Sequence, residues 1–359
     1  MKILYGIQGT GQGHISRARA MAQAFIPYDV DVQWLFSGRE RTKFFDMDLF
    51  GDYAWRRGLT FSAVDGHIDH LRTVFENNLP VFLRDVMSLR VQDYDLVVTD
   101  YEPVTAWACK LHNVRCIGIG HQYAFGKTTP RAGDDWLSRA IMRNFAPVHT
   151  GLGLHWHRYD DSTLPPILDL GSPDTEHGDY YLVYLPFEDQ DTVSAWLNAH
   201  QKHNFVQYAP GLQEGQQRNV YRHPTCIVGF KRDLHRCRGV ICNSGFELIS
   251  ECLELGKPAL TKPLAGQTEQ LSNALALTQL GYATAMDSLD HDALAQWLDH
   301  APRAPRVHFA DVAAGLAEWL CTGAKESPET LSQALWRAST TPRLTLKADA
   351  SYCLLPQSA

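Results

Sequence analysis

Residues 240–281, VICNSGFELISECLELGKPALTKPLAGQTEQLSNALALTQLG, restrict the chain to an α/β fold more firmly than any other stretch. Val240, Ile241 and Cys242 form a short apolar run, and Asn243, Ser244 and Gly245 turn the chain. Phe246, Ile249, Leu253 and Leu255 then recur at helical spacing until Gly256 ends the helix. Residues 258–260 read as a second buried strand, and the loop after them collects Gln267, Glu269, Gln270 and Asn273. Such amides and carboxylates read a sugar, a ribose or a base edge by hydrogen bonding, and open α/β sheets bind ligands at the carboxyl ends of their strands.

A second turn of this kind stands at the N-terminus. The apolar strand 2–7 leads into Gly9, Gly11 and Gly13, followed by His14 and Arg17. Alternate glycines remove side chains, so backbone amides and a helix N-terminus can face an anion. A P-loop would require Gly-Lys-Ser or Gly-Lys-Thr where Gly13-His14 stands. The dinucleotide pattern counted from Gly9 and Gly11 requires glycine at His14, and the next strand, 32–36, ends in Ser37-Gly38-Arg39 without a ribose-binding acid. His14 is a candidate general base, its alternative being a capping or core histidine. Residues 96–99 read as a buried parallel strand that leaves Asp100 at the same crevice, where it can orient His14 or cap a helix over 105–111. Gly9, Gly11, Gly13, Arg17 and Glu102 are expected in an acceptor or phosphate loop, with His121 and Gln122 lining the crevice edge after strand 114–119.

A length of 359 residues suggests two domains. A net charge of −7 argues against broad nucleic-acid binding, and 45% hydrophobic with 20% charged residues describes an ordinary soluble protein. No apolar run reaches membrane-spanning length and no signal-peptide core opens the chain, so a cytoplasmic protein with eight reduced, structural cysteines is expected. Between 39 and 57, Arg39, Arg41, Lys43, Phe44, Phe45, Leu49, Phe50, Trp55, Arg56 and Arg57 interleave charge with large apolar groups. That composition fits peripheral contact with the inner face of a membrane or an anionic lipid carrier, and equally an amphipathic helix with its aromatics in the core. Helices are expected over 79–89 and 134–145 and a strand over 151–157, whose His155 and His157 lack further ligands at zinc spacing. The expected organisation is an N-terminal domain 1–160, a connection 161–179 rich in Pro and Gly, a C-terminal domain 180–327, and a final helix and tail 328–359. In the second domain strands are expected over 204–209 and 225–228 and a helix over 231–238.

The combination G-x-G-x-G-H-x-x-R-A with N-S-G-x-x-x-x-S-E, G-K-P and P-x-x-x-Q-x-E-Q-x-x-N-A resembles the GT-B glycosyltransferases. It is most similar to bacterial and archaeal transferases related to the peptidoglycan GlcNAc transferase acting on a lipid-linked intermediate (family 28-like), and more distantly to the UDP-glycosyltransferases. The resemblance implies two facing Rossmann-like domains with an interdomain cleft. It also implies that Glu251 accepts the donor ribose hydroxyls, that Gln267, Glu269 and Gln270 meet the donor sugar, and that Asn243, Ser244 and Gly245 lie by the diphosphate. Phe230 and Lys231 fall where the family packs the nucleobase, and His14 and Asp100 match its base and supporting carboxylate. The last helix, over 331–337, is expected to return to the N-terminal domain.

One departure concerns the phosphates. Where relatives carry a glycine nest, this chain has Leu185-Pro186-Phe187-Glu188, and a compensating cation among Lys231, Arg232 and Lys262 is expected. The expected activity is inverting, metal-independent transfer from a nucleotide sugar, UDP-linked, to a hydroxyl of a lipid-linked, glycan or small-molecule acceptor, with no cofactor. The alternatives are a nucleotide-sugar 2-epimerase or hydrolase, a sugar-nucleotide-binding regulator without turnover and, more remotely, an NADP oxidoreductase suggested by Ser37-Gly38-Arg39.

Overall fold

The computed structural model describes residues 1–60, 63–64, 67–68, 78–133, 136–300, 304–305 and 307–342. The expected tail beyond Thr340 lies largely outside the described residues. The first half contains β1 (Lys2–Gln8), α1 (Gln12–Phe25), β2 (Asp31–Ser37), β3 (Ala54–Trp55), β4 (Ala63–Val64) and β5 (His67–Ile68). It continues with α2 (Leu79–Ser88), β6 (Leu96–Asp100), α3 (Pro103–His112), β7 (Cys116–Gly120), α4 (Trp136–Phe145) and β8 (Thr150–Gly153). Its main sheet has the order β3-β2-β1-β6-β7-β8, and every neighbouring pair is parallel. Burial on both faces explains why β6 and β7 read as unbroken apolar runs instead of alternating ones.

The second half repeats the plan. It comprises β9 (Tyr181–Tyr184), α5 (Gln190–Asn198), β10 (Phe205–Ala209), β11 (Gly215–Gln217), β12 (Val220–Pro224), α6 (Ile227–Arg236) and β13 (Val240–Asn243). After these come α7 (Phe246–Glu254), β14 (Ala259–Lys262), α8 (Thr268–Leu280), β15 (Thr284–Ala285) and α9 (His291–His300). The sheet order is β11-β12-β10-β9-β13-β14-β15, parallel except for β11. In each half the strand order reverses at a central pair, β1 with β6 and β9 with β13, which opens a crevice at their carboxyl ends. The expected pair of Rossmann-like sheets is therefore the observed architecture.

The chain then comes back to the first half through two helices, α10 (Val312–Cys321) and α11 (Pro328–Ala338). Met21, Ala22 and Phe25 of α1 share one apolar core with Leu316, Trp319 and Leu320 of α10. Ser332 and Trp336 of α11 both donate to the Thr163 carbonyl, each at 2.7 Å. The last helix thus meets Thr163, within the stretch expected as the connection, while the preceding helix shares its core with α1.

Four local expectations are corrected. The strand expected over 225–228 lies earlier, as β12, because Tyr221 and Arg222 pair with strands on both sides, and His223 with β10, without an apolar signature of their own. Ile227 and Val228 instead open α6, which starts before the helix expected at Lys231. The strand expected over 151–157 stops at Gly153, and Leu154 keeps a single bridge to Leu164. The basic and aromatic segment 39–57 forms neither a long helix nor an apolar display: Phe44, Phe50 and Tyr53 pack edge-on against Phe36. Arg39 lies over Phe44 and Arg41 over Tyr53, so charge and aromatic groups of the segment pair with one another. Among the described residues no helix is long and apolar enough to cross a membrane.

The junction after β6 shows how the sequence sets the crevice. Tyr101 adopts a φ of 53°, a conformation costly for a non-glycine residue, and turns the chain sharply after Asp100. Glu102 then caps α3, its two carboxylate oxygens accepting from the Val104 and Thr105 amides at 2.8 and 2.7 Å, while the Ser37 hydroxyl donates to it at 2.6 Å. Glu102→Ala should cost about 2 kcal/mol of stability by losing the cap and orphaning the Ser37 hydroxyl. Urea unfolding of the variant measures this, and unchanged stability would show that water replaces the cap.

Candidate active site

Gly11, the last residue before α1, is extended and gives the helix no side-chain cap, so the first amides of α1 face the crevice. His14 and Arg17 lie on the first turns of this helix, opposite the end of β6. His14 Nδ1 is 2.8 Å from Asp100 Oδ1. Arg17 grips the same carboxylate with both arms, Nε to Oδ2 at 2.9 Å and Nη2 to Oδ1 at 2.6 Å. Burial pushes the Asp100 carboxyl up, but Arg17 and His14 outweigh it and hold the group below the usual carboxylate range. The His14 side chain is 13% exposed, against 2% for Asp100 and Arg17, so His14 is the member of the cluster that can meet a substrate.

Arg17 Nη2 also lies 2.7 Å from His14 Nδ1, which sets two tautomers in competition. A proton on Nδ1 donates to Asp100 and leaves Nε2 as a free base. A bare Nδ1 accepts from Arg17 and puts the proton on Nε2, where it blocks base action. The other end of Arg17, Nη1, pairs with Glu247 on α7 in the second half. Gly13 makes this approach possible, since a Cβ there would stand 2.1 Å from Glu247 Oε2. Glycine at this position therefore accommodates the opposite half, whereas Gly11 borders open space and suits a ligand. Gly9 belongs to neither group: its amide bonds the Ser37 carbonyl at 2.7 Å and it packs against Phe44.

Two residues expected at the acceptor loop have other tasks. Glu102 is the buried cap described above, which leaves Asp100 available to His14. His121 is fully buried, with Nδ1 2.8 Å from the Leu154 carbonyl and Nε2 2.7 Å from Asn273 Oδ1 on α8. Its ring stacks on Phe246 at 4.0 Å, so it joins the two halves instead of lining an open edge. Gln122 also crosses the boundary, donating to Glu269 Oε2 at 3.0 Å.

The second half supplies the facing wall. Gly245 opens α7 without a side-chain cap and borders open space, and the buried Asn243 Oδ1 and Ser244 Oγ have no partner among the described residues. An uncapped helix start beside such groups is built to meet an anion. Glu251 is buried on α7, where Lys231 Nζ and the Ser16 hydroxyl meet its Oε1 at 2.5 and 3.5 Å. Burial raises the Glu251 carboxyl above its ordinary range even though Lys231 pulls it down. Lys231 also donates to the Asp169 carbonyl. Phe230 stands edge-on to Tyr184 and Tyr208. Glu269 lies at the start of α8, half-buried, and the Gln267 side-chain oxygen is buried without a partner. Gln270, expected on the donor sugar, turns its carbonyl inward to the Leu264 amide at 2.9 Å and holds the loop before α8. Lys262, at the end of β14, pairs with Glu188 at 2.7 Å.

Sequence reasoning does not find Glu247. An acid in a helix first turn is commonplace, and its partner lies 230 positions away. If Glu247 draws Arg17 off the His14 proton, Glu247→Gln should lower kcat about tenfold, near 1.4 kcal/mol in the barrier, with little change in donor KM. Gly13→Ala should reproduce that split by displacing Glu247, and an equal rise in KM in both variants would refute the coupling.

The comparisons with known proteins bear on the fold and the family. Three solved glycosyltransferases share the fold. SnogD from Streptomyces nogalater is 16% identical with a TM-score of 0.50, covering 94% of this chain and 99% of that one. SsfS6 from Streptomyces sp. SF2575 is 13% identical with a TM-score of 0.54 and the same coverages. VinC, solved in complex with DTDP, is 14% identical with a TM-score of 0.52, again covering 94% and 99%. No curated protein sequence matches the chain. The family model described as glycosyl transferase family 1 matches residues 1–302, most of the chain, and the chain belongs to that family.

Proposed function

We propose that the protein transfers a sugar from a nucleoside diphosphate sugar to an acceptor hydroxyl, with His14 as the base and inversion at the anomeric carbon. The observation that carries this is the His14–Asp100 contact of 2.8 Å on an uncapped helix start, facing a second uncapped helix start on α7. His14 Nε2 removes the acceptor proton, Asp100 stabilises the imidazolium, and the hydroxyl oxygen attacks as the diphosphate leaves. The amides of α7 and the Ser244 hydroxyl take up the leaving charge. In this reading Glu251 Oε2 accepts a ribose hydroxyl while Oε1 stays with Lys231 and Ser16, and Gln267 and Glu269 bind the donor sugar.

The motif resemblance favours a UDP-linked donor and a lipid-linked or envelope glycan as acceptor. The DTDP complex of VinC makes a thymidine donor the other nucleotide to test. We place the reaction in the cytoplasm, consistent with buried cysteine thiols such as Cys109, Cys242 and Cys252.

A donor at 100 times its dissociation constant should stabilise the fold by about 2.7 kcal/mol, so a thermal-shift series with UDP-, dTDP- and GDP-sugars identifies the nucleotide. With that donor, His14→Ala should lower kcat by roughly 10² to 10⁴ at unchanged stability. Near wild-type turnover would remove His14 as the base. Release of free sugar or an epimer without acceptor would assign the site to hydrolysis or epimerisation.

A further inference from the structure

Of the three cations considered, Lys262 is the one that ends a strand beside Asn243, next to the start of α7. Lys231 is held by Glu251 and the Asp169 carbonyl, and Arg232 is half-exposed and paired with Asp233 at 3.1 Å. Lys262 ends β14, and the Asn243 side-chain amide donates to its carbonyl at 3.0 Å, fixing it beside the end of β13. The Ser244 hydroxyl and the first amides of α7 are at that same strand end. The one ionic partner of Lys262 among the described residues is Glu188, and both side chains are only 9% exposed.

Glu188 stands in the turn after β9, where the relatives' glycine nest is absent, and its amide bonds the Leu185 carbonyl at 3.1 Å. The Gln190 side chain bonds its carbonyl at 2.7 Å, so the backbone is fixed while the carboxylate reaches across to Lys262. The turn borders solvent, with Phe187 37% exposed.

We propose that Glu188 and Lys262 form a gated anion site for the donor diphosphate: Glu188 occupies the Lys262 ammonium in the empty protein, and the diphosphate displaces it. The inference rests on the nucleotide-sugar function proposed above. A carboxylate brings one negative charge to Lys262, whereas a diphosphate brings more charge and several acceptor oxygens, so it outcompetes Glu188 where a neutral nucleoside cannot. Glu188 then swings toward the solvent side of its turn. The pair also keeps a nearly buried ammonium from standing alone between turnovers, a state that would be strongly unfavourable. The missing glycine nest is thereby replaced by one cation with an internal competitor.

Calorimetric titration with UDP and dTDP, and with uridine and thymidine as phosphate-free controls, tests the gate in wild type, Glu188→Gln, Lys262→Met and the double variant. Removing the competitor should tighten diphosphate binding about tenfold, the scale of one charge-assisted hydrogen bond, and leave the nucleosides unchanged. Lys262→Met should weaken the diphosphates, and Glu188→Gln should add nothing in the Lys262→Met background. The double variant leaves neither charge buried and unpaired, so that arm stays readable if Lys262→Met alone folds poorly. Diphosphate binding in Glu188→Gln equal to or weaker than wild type overturns the gate alone. Failure of the wild type to bind either UDP or dTDP overturns the nucleotide-sugar function beneath it.

Discussion

Asp100 is a carboxylate nearly sealed from water, and an unpaired charge in that setting would cost several kcal/mol. The two-armed grip of Arg17 removes that cost. The geometry of the cleft follows from it: Arg17 must lie on the first turns of α1, which places His14 one turn earlier on the same face, at the edge of the crevice. Because Arg17 spends its remaining donor on Glu247, the charge that keeps Asp100 ionised is itself anchored in the other half of the molecule. Separating the halves would therefore alter the environment of the histidine as well as opening the cleft.

The donor wall applies the same economy to the opposite charge. Glu251 with Lys231 and Glu188 with Lys262 are paired across short distances, so both cations of this wall are neutralised by a neighbouring carboxylate. Among the described residues, uncharged polar groups here are left without partners: Asn243 Oδ1, Ser244 Oγ and Gln267 Oε1, beside the uncapped start of α7. A neutral but strongly polar cavity pays little desolvation while it waits and offers fixed dipoles to an arriving anion, the arrangement that electrostatic stabilisation of a leaving group requires.

Much of the architecture was legible in the sequence because buried parallel strands and amphipathic helices leave periodic marks. The runs before Gly9 and around Val98, and the helix from Phe246, fall where the structure has β1, β6 and α7. What escaped was whatever depended on a distant partner. Strand β12 is polar because its pairing, not its side chains, makes it a strand. Glu102 and Asp100 are two residues apart with similar chemistry. The turn at Tyr101 sends one to the helix cap and the other to His14, and composition does not distinguish them. His121 looked like a crevice liner because its strand end was correctly placed, but its neighbours on α7 and α8 are more than 100 residues ahead in the chain.

The packing of α10 against α1 reaches beyond the segment that carries the family likeness, which ends at residue 302. The main chain consequently passes between the halves twice, once before β9 and again after α9. Two crossings act like a pair of hinge pins: they permit bending about the line joining them and resist twist or sliding. Bending about that line would keep the register in which Glu247 and Arg17 meet. A polypeptide ended at the limit of the family segment would keep every group of the candidate site and lose the second pin, together with Leu316, Trp319 and Leu320, which share the core with Met21 and Phe25 of α1.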